Sequence, residues 1–337
     1  MSKRSPSLAR LGLGAACLLG ALLASLSFCL CIGSYSMSFT QVWAGLLDSQ
    51  SDPQVRQVLW DLRLPRIVTA ALSGAGLSVA GVVFQSLLRN PLADPFISGT
   101  SAGAGLGVAA AIAMGLGGLW LPAVAFVGAI FAVWTVYQLA RVGTRLPIQT
   151  FLLAGVVVSS FLGSLVSLIL TLAKQDLARI LFWLMGNFGN ADWAGLGWLF
   201  PLTCLAGFGV ILHSLDLNLL ALGEEQSALL GLNAEASKLR LIILASLLTA
   251  TSVASGGLIG FVGLVVPHSC RRIVGGDHRV LIPCCAALGA CFLMLADTLA
   301  RSLTTIGDLP VGIVTSVVGA PFFLYLLRSQ QHKYAGN

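Results

Sequence analysis

Long uncharged stretches alternate with short polar breaks along this chain. Residues 11–47, 67–88, 95–140, 146–173, 193–215, 241–270 and 309–327 contain no Asp, Glu, Lys or Arg. A helix needs roughly 20 apolar residues to cross about 30 Å of hydrocarbon. Divided at turn signals, the runs predict ten spans, near 8–33, 64–88, 96–114, 119–140, 148–172, 194–214, 240–255, 257–268, 279–303 and 311–328. The span at 257–268 is short enough to read as a half-span. The expected fold is all-α: a polytopic membrane protein forming one transmembrane domain over 1–337.

The polar breaks are equally informative. Residues 34–62 form a polar segment with Asp48, Asp52, Pro53 and Asp61, so the second span is expected to begin at "LRLPR". Residues 173–193 are amphipathic and too polar to cross, which predicts a short interfacial helix. Residues 215–240 carry an apolar stripe (Leu219, Leu222, Leu229, Leu230 and Leu232) interrupted by Gly223 and Gly231. That pattern predicts two short helices lying at the membrane surface, with coupling helices placed within 215–239.

Composition agrees with the pattern. Hydrophobic residues make up 57% of the 337 positions and charged residues 9%, with a mean hydropathy of +0.91. A soluble domain carries about 25% charged residues. The net charge of +6 does not point to nucleic acid, because the basic residues sit in short clusters between spans. With the N-terminus inside, thirteen of the 19 Lys and Arg fall on the cytoplasmic side, among them Lys3, Arg4, Arg89, Arg145, Lys238, Arg271 and Arg328. This satisfies the positive-inside rule and places both termini in the cytoplasm. The eight cysteines show no metal or disulfide spacing and read as apolar packing residues. The apolar run from Leu11 to Gly33 exceeds a signal-peptide core of about 7–15 residues and reads as an uncleaved first span.

Gly103, Gly105 and Gly107 raise the question of a phosphate loop. Such a loop needs a preceding strand and a helix N-terminus aimed at the ligand. No Gly-Lys pair occurs anywhere, and Val108 breaks the G-x-G-x-x-G fingerprint. Gly99, Gly103 and Gly107 instead recur every four residues, which suits close helix packing in lipid.

Six stretches, "LRLPR" (62–66), "NPLADP" (90–95), "SGTSAGAGLG" (98–107), "GFVGLVVPH" (260–268), "LADTLAR" (295–301) and "LPVGIVTSVVGAPFFLYLL" (309–327), resemble the permease subunit of ABC importers for ferric siderophores, haem and cobalamin, the FecCD-like type II importers. The likeness implies a ten-span subunit in the bacterial inner membrane, acting as a homodimer. It further implies two cytoplasmic ATP-binding subunits, which hold ATP and Mg, and a periplasmic substrate-binding protein. It implies no cofactor, metal or catalytic residue on this chain. By the same resemblance, Glu224, Glu225, Ala228, Leu229, Leu230, Gly231 and Asn233 form the knob that seats in the ATPase, with Gly231 turning between two short helices. Arg63, Arg66 and Arg301 dock the binding protein, and Asp297, four residues before Arg301, orients it. The cytoplasmic gate maps to Asn90 and Leu92 and, more loosely, to Gln149 and Thr150. Ser159, Ser160, Ser164 and Ser167 are pathway candidates, although membrane serines also bond between helices.

Two other classes fit less well. A secondary transporter needs ionisable residues inside its spans for ion coupling, and these spans hold almost none. An intramembrane enzyme needs a nucleophile–base or metal cluster, and no H-E-x-x-H or paired-acid motif is present. A permease for free metal ions is the alternative within the ABC importers.

Overall fold

The computed structural model describes residues 8–33, 37–48, 52–118, 120–303 and 308–335. Lys3, Arg4, residue 119 and the extreme C-terminus, all used in the topology expectation, lie outside the described residues. In chain order the helices are α1 (Leu8–Cys31), α2 (Phe39–Leu47), α3 (Pro53–Gln57), α4 (Leu64–Leu87), α5 (Thr100–Ala113), α6 (Trp120–Ala140), α7 (Ile148–Leu172) and α8 (Leu177–Leu184). They continue as α9 (Trp193–Leu212), α10 (Ser214–Leu222), α11 (Glu224–Leu229), α12 (Ala234–Gly256), α13 (Val262–Val274), α14 (His278–Ser302) and α15 (Val311–Ala335). The all-α expectation holds. Among the described residues, six helical stretches are long and apolar enough to cross a bilayer, and α1, α5 and α15 contribute shorter apolar segments.

Three helix boundaries differ from the hydropathy expectation, each for a local reason. The helix leading into α4 starts at Pro53, well before Leu64. The Asp52 side chain accepts the Gln54 N–H at 2.9 Å with Pro53 in the first helical position, and a π-helical turn over 58–63 carries the helix into α4. α12 starts at Ala234 instead of 240, because Asn233 Oδ1 caps it by accepting the Ala236 N–H at 3.1 Å. Residues 257–261 are unwound, and the half-span is α13, displaced towards the C-terminus. The segment 186–187 joins this break to the start of α15. Asn187 N–H donates to Gly256 O at 2.8 Å, and Val311 N–H donates to Gly186 O at 2.9 Å.

Burial sorts the helices into centre and rim. The apolar window of the α3–α4 stretch is 78% buried and that of α7 only 22% buried, so α4 is the central post and α7 lies at the edge. α12, α13 and α14 pack around α4. The glycine seam lies between α5 and α6. A Cβ on Gly103 would come within 2.2 Å of Gly128 O, and one on Gly107 within 2.8 Å of Val124 O. Gly99 faces Val136 and Ala132 of the same helix but sits just before α5, in a left-handed conformation (φ 83°) that favours glycine. The glycines therefore set a helix–helix distance.

Candidate coupling, gating and docking sites

α10 and α11 form two short helices between α9 and α12, as expected, but their hinge is Gly223 and not Gly231. Gly223 has φ 127° and separates α10 from α11; Gly231, with φ 86°, follows α11 and turns the chain towards α12. Ser227 is buried and its hydroxyl donates to Glu224 O at 2.9 Å, closing α11 on itself. Leu229 is 88% and Leu230 62% exposed. Glu224, Glu225, Ala228, Gly231 and Asn233 are exposed around them. An exposed leucine pair on a compact turn is a surface built to be covered.

This knob is tied into the chain by polar contacts. His213 Nδ1 lies 3.0 Å from Asp216 Oδ2, which also accepts the Ser237 hydroxyl at 2.8 Å. Asn218 bridges α10 to the start of α14: its amide donates to Asp277 Oδ1 at 2.9 Å, and its Oδ1 accepts the His278 N–H at 3.0 Å. The Arg279 guanidinium holds the Asp277 carboxyl below the usual carboxylate range, outweighing burial, with Asn218 assisting. Lys238, 2% exposed, reaches Glu235, Glu224 and the backbone carbonyl of Leu146.

The two expected gate segments lie at this same end. In the turn after α4, Asn90 Oδ1 accepts the Leu92 N–H at 3.0 Å, and Asn90 is exposed. Asp94 caps the following 3₁₀ turn (Pro95–Ser98) by accepting the Phe96 N–H at 2.8 Å. Burial pushes the Asp94 carboxyl up, and that backbone bond opposes it. Gln149 is exposed and Thr150 half-buried in the first turn of α7. No hydrogen bond joins Asn90 or Leu92 to Gln149 or Thr150 among the described residues.

The four serines do not act together. Ser160, Ser164 and Ser167 form one exposed stripe on α7, and Ser164 and Ser167 satisfy themselves by donating to Ser160 O and Gly163 O at 2.9 and 3.1 Å. Ser159 is half-buried on a different face, beside Gly99. A cavity of about 1440 Å³ opens between the α8-side ends of α6 and α9, lined by Phe126, Trp183, Trp198, Asn187 and Asp308, and none of the four serines lines it.

At the α8 end, all three expected docking arginines already have acceptors within the chain. Arg66 makes a bidentate pair with Asp297 (Nε–Oδ2 2.8 Å, Nη2–Oδ1 2.9 Å) and turns Nη1 to Asp308 Oδ2. Asp297 therefore orients Arg66 of α4, and not Arg301 four residues along its own helix. Arg301 and Arg63 donate to Cys29 O and Leu30 O, two carbonyls in the last turn of α1. Both guanidinium groups converge on Gly33, where a Cβ would lie 3.0 Å from Arg63 Nη2 and 3.4 Å from Arg301 Nη1. Arg63 and Arg301 are buried (4% and 6% exposed); Arg66, with a 12% exposed side chain, and Asp308, with 31%, reach the surface. The sequence expectation missed Lys238, Asp308 and Arg89, since nothing in a lone charge flanking a span marks its partner.

The profile of the FecCD transport family matches residues 21–329 of this chain. The chain belongs to the FecCD transport family. It is 41% identical over 281 residues to the cobalamin import permease BtuC of Halobacterium salinarum, covering 83% of this chain and 76% of that one. It is 37% identical over 316 residues to the hemin transport permease HmuU of Yersinia pestis, covering 90% and 92%. Its fold is similar to a solved structure described as an inward-facing, metal-chelate type ABC transporter, with a TM-score of 0.84, 34% identity and coverage of 93% and 97%. The chain is thus a membrane-embedded ABC importer permease, and the resemblance read from its motifs holds.

Proposed function

We propose that this permease carries an iron chelate (ferric siderophore or haem) or cobalamin from periplasm to cytoplasm by alternating access. It acts as a homodimer in the bacterial inner membrane, with both termini and the α10/α11 end in the cytoplasm. Two cytoplasmic ATPase subunits bind ATP and Mg and seat on the Leu229–Leu230 knob; the chain itself performs no catalysis and binds no cofactor. The observation that carries this reading is the knob: two exposed leucines on a compact turn, wired by hydrogen bonds to the segments at the start of α7 and the end of α4.

A periplasmic binding protein docks at the opposite end. Arg66 is the docking arginine, exchanging the half-exposed Asp308 for a carboxylate of the binding protein, while Arg63 and Arg301 hold α1 beneath it. ATP binding to the ATPase pair moves α10 and α11, and Asn90, Leu92, Gln149 and Thr150 close or open the cytoplasmic exit. ATP drives this only through its different affinity for the two states. Ser160, Ser164 and Ser167 face the pathway from α7.

The test is ATPase stimulation of the complete complex in liposomes by binding protein loaded with a ferric siderophore, hemin or cobalamin in separate arms. One of the three is expected to stimulate hydrolysis above the unloaded binding protein. Stimulation by free divalent metal alone would replace this reading with the metal-ion permease.

A further inference from the structure

Two polar arms run from the short helices to the two gate segments. The first is Lys238. Its Nζ lies 2.6 Å from Glu235 Oε1, 3.1 Å from Glu224 Oε1 and 3.2 Å from Leu146 O. These acceptors use all three N–H bonds of the ammonium, and they belong to α12, α11 and the residue just before Pro147, which leads into α7. Leu146 is held a second time, because its N–H donates to Glu235 Oε2 at 2.8 Å. A shift of α11 relative to the start of α7 strips the buried ammonium of its α11 acceptor, the half-exposed Glu224, while Glu235 and Leu146 O keep hold of it.

The second arm is Arg89. Its Nη2 donates to Leu220 O at 3.2 Å, a carbonyl in the last turn of α10 next to the Gly223 hinge. Arg89 itself stands at φ 47°, a left-handed conformation uncommon for a residue with a Cβ, immediately before Asn90. That conformation closes α4: the Arg89 N–H donates to Ser86 O at 3.3 Å and the Asn90 N–H to Gln85 O at 3.1 Å. The Arg89 side chain therefore ties the end of α10 to the residue that closes α4 and opens the Asn90–Leu92 turn. The Asn218 contacts fasten α10 to α14 and touch α4 only through a relay: Asn218 Oδ1 lies 2.7 Å from His278 Nδ1, and His278 Nε2 lies 2.6 Å from Ser86 Oγ, in the last turn of α4 before Arg89.

We infer that Lys238 and Arg89 are separate positioning residues, Lys238 relaying movement of α11 to the start of α7 and Arg89 relaying movement of α10 to the Asn90–Leu92 turn. This rests on reading α10 and α11 as coupling helices and the two segments as gates.

The experiment uses the full complex with its ATPase subunits in nanodiscs, with the exposed Cys17 and Cys204 and the partly exposed Cys31 replaced by Ser. Single cysteines at Leu92 and Gln149 are labelled with a water-soluble maleimide, with and without Mg-ATP. Without further substitution, both labelling rates are expected to change about threefold or more on adding Mg-ATP. Lys238→Met abolishes the response at position 149 and keeps that at 92; Arg89→Gln does the reverse. ATP hydrolysis continues in both variants, and Lys238→Arg recovers part of the lost response. If Lys238→Met fails to assemble, Glu235→Gln reads the same arm by loosening both holds on Leu146. Responses that survive in every variant, or that vanish together at both positions, overturn the inference. Positions 92 and 149 that ignore Mg-ATP before either arm is altered refute the gate reading itself, a separate result.

Discussion

Arg66 and Asp297 face each other across two helices, joined by two parallel hydrogen bonds of 2.8 and 2.9 Å, with the Asp297 side chain 2% exposed. This pair joins α4, the central post, to α14. It explains why an acid inside an apolar helix is tolerated: it is paired at once by a fork that matches its geometry. Asp297→Asn removes the charge and one of the two acceptor oxygens, and sets an NH2 against the guanidinium, leaving Asp308 as the only carboxylate on Arg66 among the described residues. The expected loss is about 3 kcal/mol or more of stability, read as a lowered thermal midpoint of the detergent-solubilised protein. An unchanged midpoint would show that the pair does not hold α4 to α14.

A milder change at the surface-reaching member of the cluster reads docking with less damage to the fold. Arg66→Lys keeps a positive charge beside Asp297 and Asp308 but loses the fork that grips a carboxylate, so binding-protein affinity at low salt is expected to fall, with the difference from the native chain shrinking as salt rises. Arg63→Ala and Arg301→Ala are expected instead to lower the thermal midpoint, because each removes a buried donor from a carbonyl of α1. Titration of the binding protein against each variant at two salt concentrations distinguishes the two roles.

The α5–α6 seam makes a sharper steric prediction. Gly103→Ala places a methyl within 2.2 Å of Gly128 O, whereas a Cβ at Gly163 of α7 meets nothing within 4 Å. Gly103→Ala should cost about 1–3 kcal/mol through overpacking. Gly163→Ala should be neutral or slightly stabilising, since Ala is the better helix former. Paired thermal melts check the contrast.

The exposed knob yields a prediction about assembly. Leu229→Asp alters a side chain that is 88% exposed in the isolated chain, so the chain's own melting temperature should change little. Co-purification of the ATPase subunit should fall at least tenfold, as expected for an interface anchor. Full recovery of the ATPase would place its contact elsewhere.

The apolar helices were readable in the sequence because hydropathy reports what lipid and core select. The boundaries that escaped depend on backbone and tertiary partners. Lys238 reads as the edge of a span, yet it sits buried inside α12 because Leu146, Glu224 and Glu235 gather round it from elsewhere in the chain. The acceptors of Arg63 and Arg301 could not be read from the sequence, because they are backbone carbonyls of α1, which carry no residue signature. Gly223 and Gly231 both stand at positive φ, and composition alone does not say which of them forms the hinge between the short helices. Asp297 lay at the right spacing to serve Arg301, and helical spacing could not reveal the stronger bidentate partner on α4.

The most direct measurement of the central claim is cargo uptake into proteoliposomes holding the permease, its ATPase subunits and the loaded binding protein. Uptake is expected to require Mg-ATP on the α10/α11 side and to be unaffected when proton and sodium gradients are collapsed. Uptake that proceeds without ATP and follows an ion gradient would contradict it.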